Sequence, residues 1–198
     1  MRKINIGFIG IALMVFVSLN CVNTDKKAIL SADEQYYLDM GKSVAASTQA
    51  VLGSNLKTAM GKGGPENALE FCNAKAIPLT DSMAIVLNTA IKRVSDKARN
   101  PDNKANAFEK SIIAAQIKRL ENGGEPKAQI HEVKGEMVGY YPIITNGLCL
   151  QCHGKVNQAV QQKTFDKIND FYPQDEAMGY DVNQIRGMWV VEMQKRKL

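Results

Sequence analysis

The hydrophobic period of this sequence changes near residue 127, and that change most constrains the fold. Before it, apolar residues recur at helical spacings in several long segments, and after it the period shortens towards that of strands. Helices therefore come first and strands come mostly afterwards, without a regular alternation of the two. This order predicts an α+β fold around an antiparallel sheet and argues against βαβ units with a parallel sheet.

Local signals divide the helical part in two. Ser31 and Glu34 form an S-x-x-E capping box, which is typical of a helix start, and the GKGG sequence at 61–64 predicts its end. Pro65 suits the first turn of a second helix, which we expect Pro78 to kink or split. The second helix is expected to bury one face, made of Leu69, Phe71, Cys72, Ala76 and Leu79.

The remaining segments predict the sheet and the helices that cover it. A β-hairpin is expected to turn near Lys134 and Gly135, and the apolar final strand is expected to pair in the interior of the sheet. The predicted elements are a strand at 90–95, a helix at 105–124, the hairpin at 128–144, a helix at 157–169 and a strand at 185–194.

A C-x-x-C-H motif carries the chemistry, with Cys149, Cys152 and His153 as its members. A redox dithiol would need the motif at a helix start in a βαβ setting, but here it follows a hairpin, in a predicted loop. A zinc site would need a fourth ligand, for which Cys72 is the candidate. The motif favours one covalent haem c, with two thioether bonds and His153 as the proximal iron ligand.

The N-terminus predicts export and a lipid anchor. An apolar run at 4–19 follows a basic start and is shorter than the ~20 residues of a membrane span. Cys21 then stands in a lipoprotein-like box, although ordinary cleavage nearby and an uncleaved anchor are alternatives. We therefore expect a lipoprotein-type signal peptide at 1–20, a lipidated cysteine with a polar tether at 21–30, and a single domain at 31–198. The expected location is the periplasm, at a membrane.

The positive charge does not indicate a nucleic-acid surface. The formal net charge is +5, but removal of Arg2 and Lys3 with the leader leaves 23 basic against 20 acidic residues. Two haem propionates would cancel most of the remainder. No nucleic-acid partner is therefore expected.

Four segments of the chain resemble, in order, a bacterial haem-binding domain family first catalogued as a domain of unknown function. They are ALEFCNAKAIPLTDSM, IKRVSDKARNPDNKANAFEK, YYPI with CLQCHG, and YPQDEAMGYDVNQIRGMWVV. The family contains exported, c-type cytochrome-like proteins with a PAS-like fold. The resemblance implies that fold and a haem c. By position it also implies that Cys72, in the "FC" helix, is the distal iron ligand.

The residues alone leave the sixth ligand open. His131, a methionine or no protein ligand are the alternatives to Cys72, and a buried free cysteine is often an ordinary core residue. Thiolate ligation would stabilise ferric iron and favour a low reduction potential. Arg93, Lys97 and Arg99 are expected to meet either haem propionates or solvent.

Two functions follow from these expectations. The first is one-electron transfer at a membrane surface, with an unidentified redox partner protein. The alternative is a haem-based redox or gas sensor that acts through a separate partner protein. No paired carboxylates or activated nucleophile stand out, so no catalytic residue is predicted, and whether the protein is an enzyme stays open.

Overall fold

The computed structural model describes residues 30–196, in which helices precede and flank a four-stranded antiparallel sheet. The α+β prediction is confirmed. The leader at 1–20 and Cys21 lie outside the described residues. The elements are α1 (Ala32–Val86), β1 (Ala90–Val94), a 3₁₀ turn (Pro101–Asn103), α2 (Ala107–Glu121), β2 (Gln129–Val133), β3 (Glu136–Ile144), α3 (Gly147–His153), α4 (Gln162–Phe171) and β4 (Ile185–Met193).

The sheet has the strand order β1-β4-β3-β2, so the last strand of the chain lies in its interior as predicted. The β2–β3 hairpin turns at Lys134 (φ 52°) and Gly135 (φ 86°), two consecutive positive φ angles that suit a tight hairpin. The predicted hairpin is therefore confirmed. Local turn chemistry was sufficient to locate it.

Strand β4 is apolar throughout because both of its faces are covered. Trp189 and Val191 join a core cluster under α1, whereas Met188 and Val190 join a cluster with residues of α2. Successive side chains of a strand point to opposite faces, so the two clusters use alternate residues. This arrangement places the sheet between two helical layers.

Helix α1 consists of two helices joined at a glycine pair. The backbone leaves the helical region at Gly63 (φ −166°) and at Gly64 (φ 70°, ψ −162°), and the second conformation is accessible essentially to glycine only. The helix end predicted at 61–64 is confirmed. We call residues 32–62 the first arm and residues 65–86 the return arm.

The return arm folds back along the first arm. Asn67 Nδ2 donates to the Ala59 carbonyl oxygen at 2.8 Å, across the glycine pair. Ala84 and Met40 pack against the same core cluster, although a straight helix would separate them by about 66 Å. Both arms therefore cover the same face of the sheet.

Pro78 does not split the return arm, so the expectation of a split is wrong, whereas the alternative expectation of a kink stays a prediction. Non-helical backbone angles within α1 occur at Gly63 and Gly64, and the helix continues through Pro78 to Val86. A proline removes one backbone hydrogen bond, and packing on both sides of it compensates here. Ala76 is buried on one side, and Ala84 packs against the core on the other.

Both long helices begin with a capping box. Ser31 and Glu34 form the predicted one at the start of α1, and Asn106 with Glu109 forms a second at the start of α2. Each pair satisfies backbone N–H groups that have no partner within the helix. Among residues 30–196, no helix is both long enough and apolar enough to cross a membrane.

Candidate functional site

The C-x-x-C-H motif lies on the short helix α3 and not in the loop that the sequence predicted. Asn146 caps this helix, because its Oδ1 accepts hydrogen bonds from the backbone N–H groups of Leu148 (3.0 Å) and Cys149 (3.3 Å). Spacings of three and four residues place Cys152 and His153 on the same side of the helix as Cys149. A single turn of helix thus aligns all three motif side chains.

His153 is held as a neutral imidazole with a defined tautomer. Its Nδ1 lies 2.8 Å from the Ala177 carbonyl oxygen, and because that oxygen only accepts, Nδ1 carries the hydrogen. Burial lowers the pKa of His153 well below its usual value, and the nearby Arg99 and Arg186 lower it further. The Nε2 lone pair is therefore available for a metal ion.

The segment 175–180 runs along the end of α3 and supplies the acceptor for His153. The Tyr180 N–H donates to the His153 carbonyl oxygen at 2.9 Å, and the Gly179 N–H donates to that of Gly154 at 3.1 Å. The Ala177 N–H in turn donates to Asp175 Oδ1 at 2.8 Å. These bonds fix the position of the carbonyl that orients the imidazole.

Arg99 ties this segment to α3 through a buried ion pair. Its Nε and Nη2 contact the two carboxylate oxygens of Asp175 at 3.2 and 3.1 Å, and Nη2 also donates to the Cys152 carbonyl oxygen at 2.5 Å. The two side chains are 10% and 4% exposed. Sequence reasoning missed Asp175, whose only signal was its place in the DEAMGY stretch.

Cys72, on the return arm, lies near Arg99. Burial raises the pKa of its thiol, while the positive charges of Arg93 and Arg99 lower it. Burial also raises the pKa of Cys152 to about 11, and Cys72 is near enough to contribute to that shift. The structure thus brings Cys72 and Cys152 together across 80 residues of sequence.

His131, the rival imidazole, lies elsewhere. It belongs to β2, at the sheet edge opposite β1, so about 14 Å of sheet separates these two strands. Its ring packs edge-on against Phe108 and Tyr140. Among the methionines, Met178 is at the site, with its sulfur 3.2 Å from Arg99 Nη2.

The two alternative chemistries of the motif gain no support. A reactive dithiol requires a lowered thiol pKa, but burial raises that of Cys152. Within residues 30–196, no three His, Cys, Asp or Glu side chains group as a metal ion would require. A zinc site with Cys72 as its fourth ligand is therefore not formed by these residues.

The polar groups around His153 fit a cofactor that carries negative charge. Arg186 Nε and Tyr180 Oη are buried, and neither has a hydrogen-bond partner among the described residues. Buried polar groups are nearly always paired, so these two donors call for an acceptor. Together with the thiols and His153 Nε2, they fit a haem with two propionates.

A separate groove of about 1080 Å³ lies away from these residues, between the first arm and the sheet. Its lining includes Lys42, Gln49, Tyr141 and Trp189, and none of the cysteines or His153. The groove is large, but it does not border the C-x-x-C-H motif, so we do not assign it to the same site.

Comparison with known proteins identifies relatives. A family model described as Tll0287-like matches residues 23–194. A solved structure, that of the cyanobacterial haem-protein Tll0287, aligns with a TM-score of 0.55 and 20% sequence identity, over 85% of this chain and 99% of that chain. This likeness shows a shared fold. No curated protein matches the chain.

Proposed function

The chain belongs to the Tll0287-like family, and on this premise we propose that it is a mono-haem c protein that transfers single electrons. Cys149 and Cys152 would hold the haem by thioether bonds, and His153 would be the proximal iron ligand. The observation that carries this proposal is the hydrogen bond from His153 Nδ1 to Ala177, which leaves Nε2 available beside two aligned thiols. The haem-protein Tll0287, which shares the fold, supports it.

The protein supplies orientation and electrostatics to the site. Haem, when bound, provides a reversible one-electron iron couple. The Ala177 carbonyl fixes the ring plane of His153 and increases its basicity as a ligand, as carbonyl partners of metal-binding histidines do. Arg99 and Asp175 hold the helix that carries the ligand. A rigid proximal side favours electron transfer, because little has to rearrange when the iron changes charge.

Cys72 is proposed as the second axial ligand. Its closeness to Cys152, Arg93 and Arg99 supports this role: burial raises the pKa of the thiol, and the two cations offset part of that rise in favour of a thiolate. A thiolate ligand would favour ferric iron and a low reduction potential. Met178 is the competing sulfur ligand, because it lies beside Arg99 in the same cluster.

A haem-based sensor of redox state or of a gas is the second candidate function. Burial raises the pKa of the Cys72 thiol, which favours its protonation and its release from iron. A released ligand would open the iron to a gas, and the signal would pass to a separate partner protein.

The protein is proposed to work in the periplasm, held to a membrane by a lipid on Cys21.

The ferric and ferrous visible spectra of the full-length protein, matured in a host that attaches haem c, test these assignments. A pyridine haemochrome assay should show one covalent haem. We expect Cys72→Ala to lose the low-spin, thiolate-type ferric spectrum and Met178→Leu to keep it. A wild type without covalent haem would refute the proposal.

Each remaining outcome of this experiment has a defined meaning. Loss of the low-spin spectrum in Met178→Leu, but not in Cys72→Ala, would assign the sixth position to Met178. Carbon monoxide binding by the ferrous wild type would favour the sensor. A ferrous protein that does not bind carbon monoxide would favour the electron carrier.

A further inference from the structure

Cationic side chains outnumber carboxylates beside His153. Arg99 is paired with Asp175, but Arg93 and Arg186 form no ion pair with any carboxylate among residues 30–196. Both of them, with Arg99, lie close enough to lower the pKa of His153. Together with the neighbouring Lys97 and Asp96, the group has four cationic and two acidic side chains. Arg93 and Lys97 are exposed to solvent, so the charge that most needs a counter-charge is that of Arg186, whose Nε is buried and unpaired among the described residues.

Arg186 is fixed in place with an unused donor. Its Nη1 donates to Ser95 Oγ at 2.7 Å and to the Lys97 carbonyl oxygen at 3.1 Å, while its buried Nε has no partner. Burial, with the nearby Arg93 and Arg99, lowers the pKa of Arg186 to about 10. A guanidinium that is held at one end and unpaired at the other is ready to bind an anion.

Tyr180 adds a hydroxyl donor next to Arg186. The residue is 6% exposed, its Oη has no hydrogen-bond partner among the described residues, and the Arg186 guanidinium carbon lies 5.5 Å from the ring centroid. A buried donor left unpaired costs about 1–3 kcal/mol. Ser95 and Arg186 are the polar neighbours of the hydroxyl, and a hydroxyl beside a guanidinium can donate to an anion that the guanidinium also binds.

Arg93, on strand β1, is the third side chain of this group, after Arg186 and Tyr180. Its guanidinium carbon lies 5.9 Å from the Trp189 ring centroid, and no hydrogen bond of its side chain is formed within the described part of the chain. Arg93 is exposed, so its guanidinium can reach a ligand at the surface of the site. Arg99 differs, because its donors already bind Asp175 and the Cys152 carbonyl.

We propose that Arg93, Arg186 and Tyr180 form the binding site for the two haem propionates. This inference rests on the proposed haem function and specifies the residues that bind the carboxylate edge of the ring. Two carboxylates would pair with the two guanidinium groups that form no ion pair, those of Arg93 and Arg186, and a guanidinium fork matches carboxylate geometry. The thiols of α3 would hold the vinyl edge, and β1 with the start of β4 would hold the propionate edge.

Reduction potentials and resonance Raman spectra of the mature holoprotein test the site. In Arg93→Gln and Arg186→Gln, loss of a positive charge near the iron should favour the ferric state about tenfold, which is a potential lower by about 59 mV. The propionate-bending bands should shift in both. Arg119→Gln is the matched control, because Arg119 is exposed on α2 and should change neither readout.

Tyr180→Phe separates hydrogen bonding from charge. This variant keeps the ring and removes one donor, so the propionate-bending bands should shift while the potential changes less than in the arginine variants. It also provides a test if an arginine variant fails to fold.

The outcomes distinguish this inference from the proposed function. Covalent haem in the wild type, with Arg93→Gln, Arg186→Gln and Tyr180→Phe all matching Arg119→Gln in both readouts, would overturn the propionate site and leave the haem function standing. A wild type without covalent haem would overturn both.

Discussion

The ion pair between Arg99 and Asp175 shows what a single residue contributes at this site. The pair connects the loop after β1, the segment 175–180 and the Cys152 carbonyl of α3. Removal of one partner would leave the other as an uncompensated buried charge, which is strongly destabilising. Asp175 is therefore a positioning residue for His153.

We expect Asp175→Asn to lower the free energy of unfolding by about 3 kcal/mol, because it leaves the Arg99 charge buried and unpaired. Urea unfolding monitored by circular dichroism measures this change. The control is Glu176→Gln in the adjacent residue, whose pair with Lys104 is about half exposed and should contribute under about 1 kcal/mol. Equal effects of the two substitutions would contradict a special role for the buried pair.

At the scale of an element, the first arm packs unusually close to the sheet at Gly41. A Cβ atom at Gly41 would lie 2.2 Å from Tyr141 Oη and 3.0 Å from Met193 Cε. Tyr141 Oη also donates to the Leu38 carbonyl oxygen at 3.0 Å. Glycine at this position therefore sets the distance between helix and sheet, although glycine is a poor helix former.

Gly41→Ala should destabilise the protein by about 1–3 kcal/mol through overpacking, despite the better helix propensity of alanine. Gly53→Ala, in the same helix and with no atom within 4 Å of the new Cβ, should instead stabilise it by up to about 1 kcal/mol. Thermal and urea unfolding of both variants measure whether each substitution lowers or raises the stability of the protein. Stabilisation by both substitutions would show that the contact with Tyr141 relaxes freely.

At the scale of the whole molecule, the return arm is docked on α4 by polar contacts between distant residues. Thr164 Oγ1 donates to Glu66 Oε1, and Lys163 pairs with Glu66 Oε2 at 3.3 Å. Beneath them, Leu69 packs with Val160 and Ile168 in a small buried cluster. These contacts hold the arm that carries Cys72 against the half of the chain that carries the motif.

The docking should depend on pH through Glu66. The hydrogen bond from Thr164 is the main cause that lowers the pKa of Glu66 below 4.5, its unfolded-state value. A carboxyl with a lowered pKa stabilises the folded state above its unfolded pKa, and this contribution disappears as the pH falls through the folded-state pKa. Glu66→Gln should therefore cost about 1 kcal/mol near neutral pH and less at about pH 3.5.

Urea unfolding at the two pH values checks this expectation. Glu70→Gln is the control, because Glu70 is one turn further along the helix and its side chain is 57% exposed against 22% for Glu66, so its pair with Lys167 should contribute under about 1 kcal/mol. A cost for Glu66→Gln that is as large in acid as at neutral pH would contradict an electrostatic origin.

Predictions that depended on a few neighbouring residues are confirmed. The capping box at Ser31, the helix end at Gly63 and Gly64, and the hairpin turn at Lys134 each arise from interactions within four residues, so the sequence displays them directly. The split expected at Pro78 does not occur, because packing on either side of it outweighs a local cost. The motif helix was missed because its cap, Asn146, precedes only seven helical residues.

By itself, the sequence determined the fold class and predicted a chemistry for the C-x-x-C-H motif, because periodicity and short spacings are local properties. The tertiary structure decided which other residues surround His153. Cys72 comes near Cys152 and Arg99, Met178 comes to Arg99, and His131 does not, because the chain folds back at Gly63 and Gly64 and the strand order puts β2 at the far edge. Such contacts depend on hydrogen bonds and charges between residues distant in sequence, which no local pattern records.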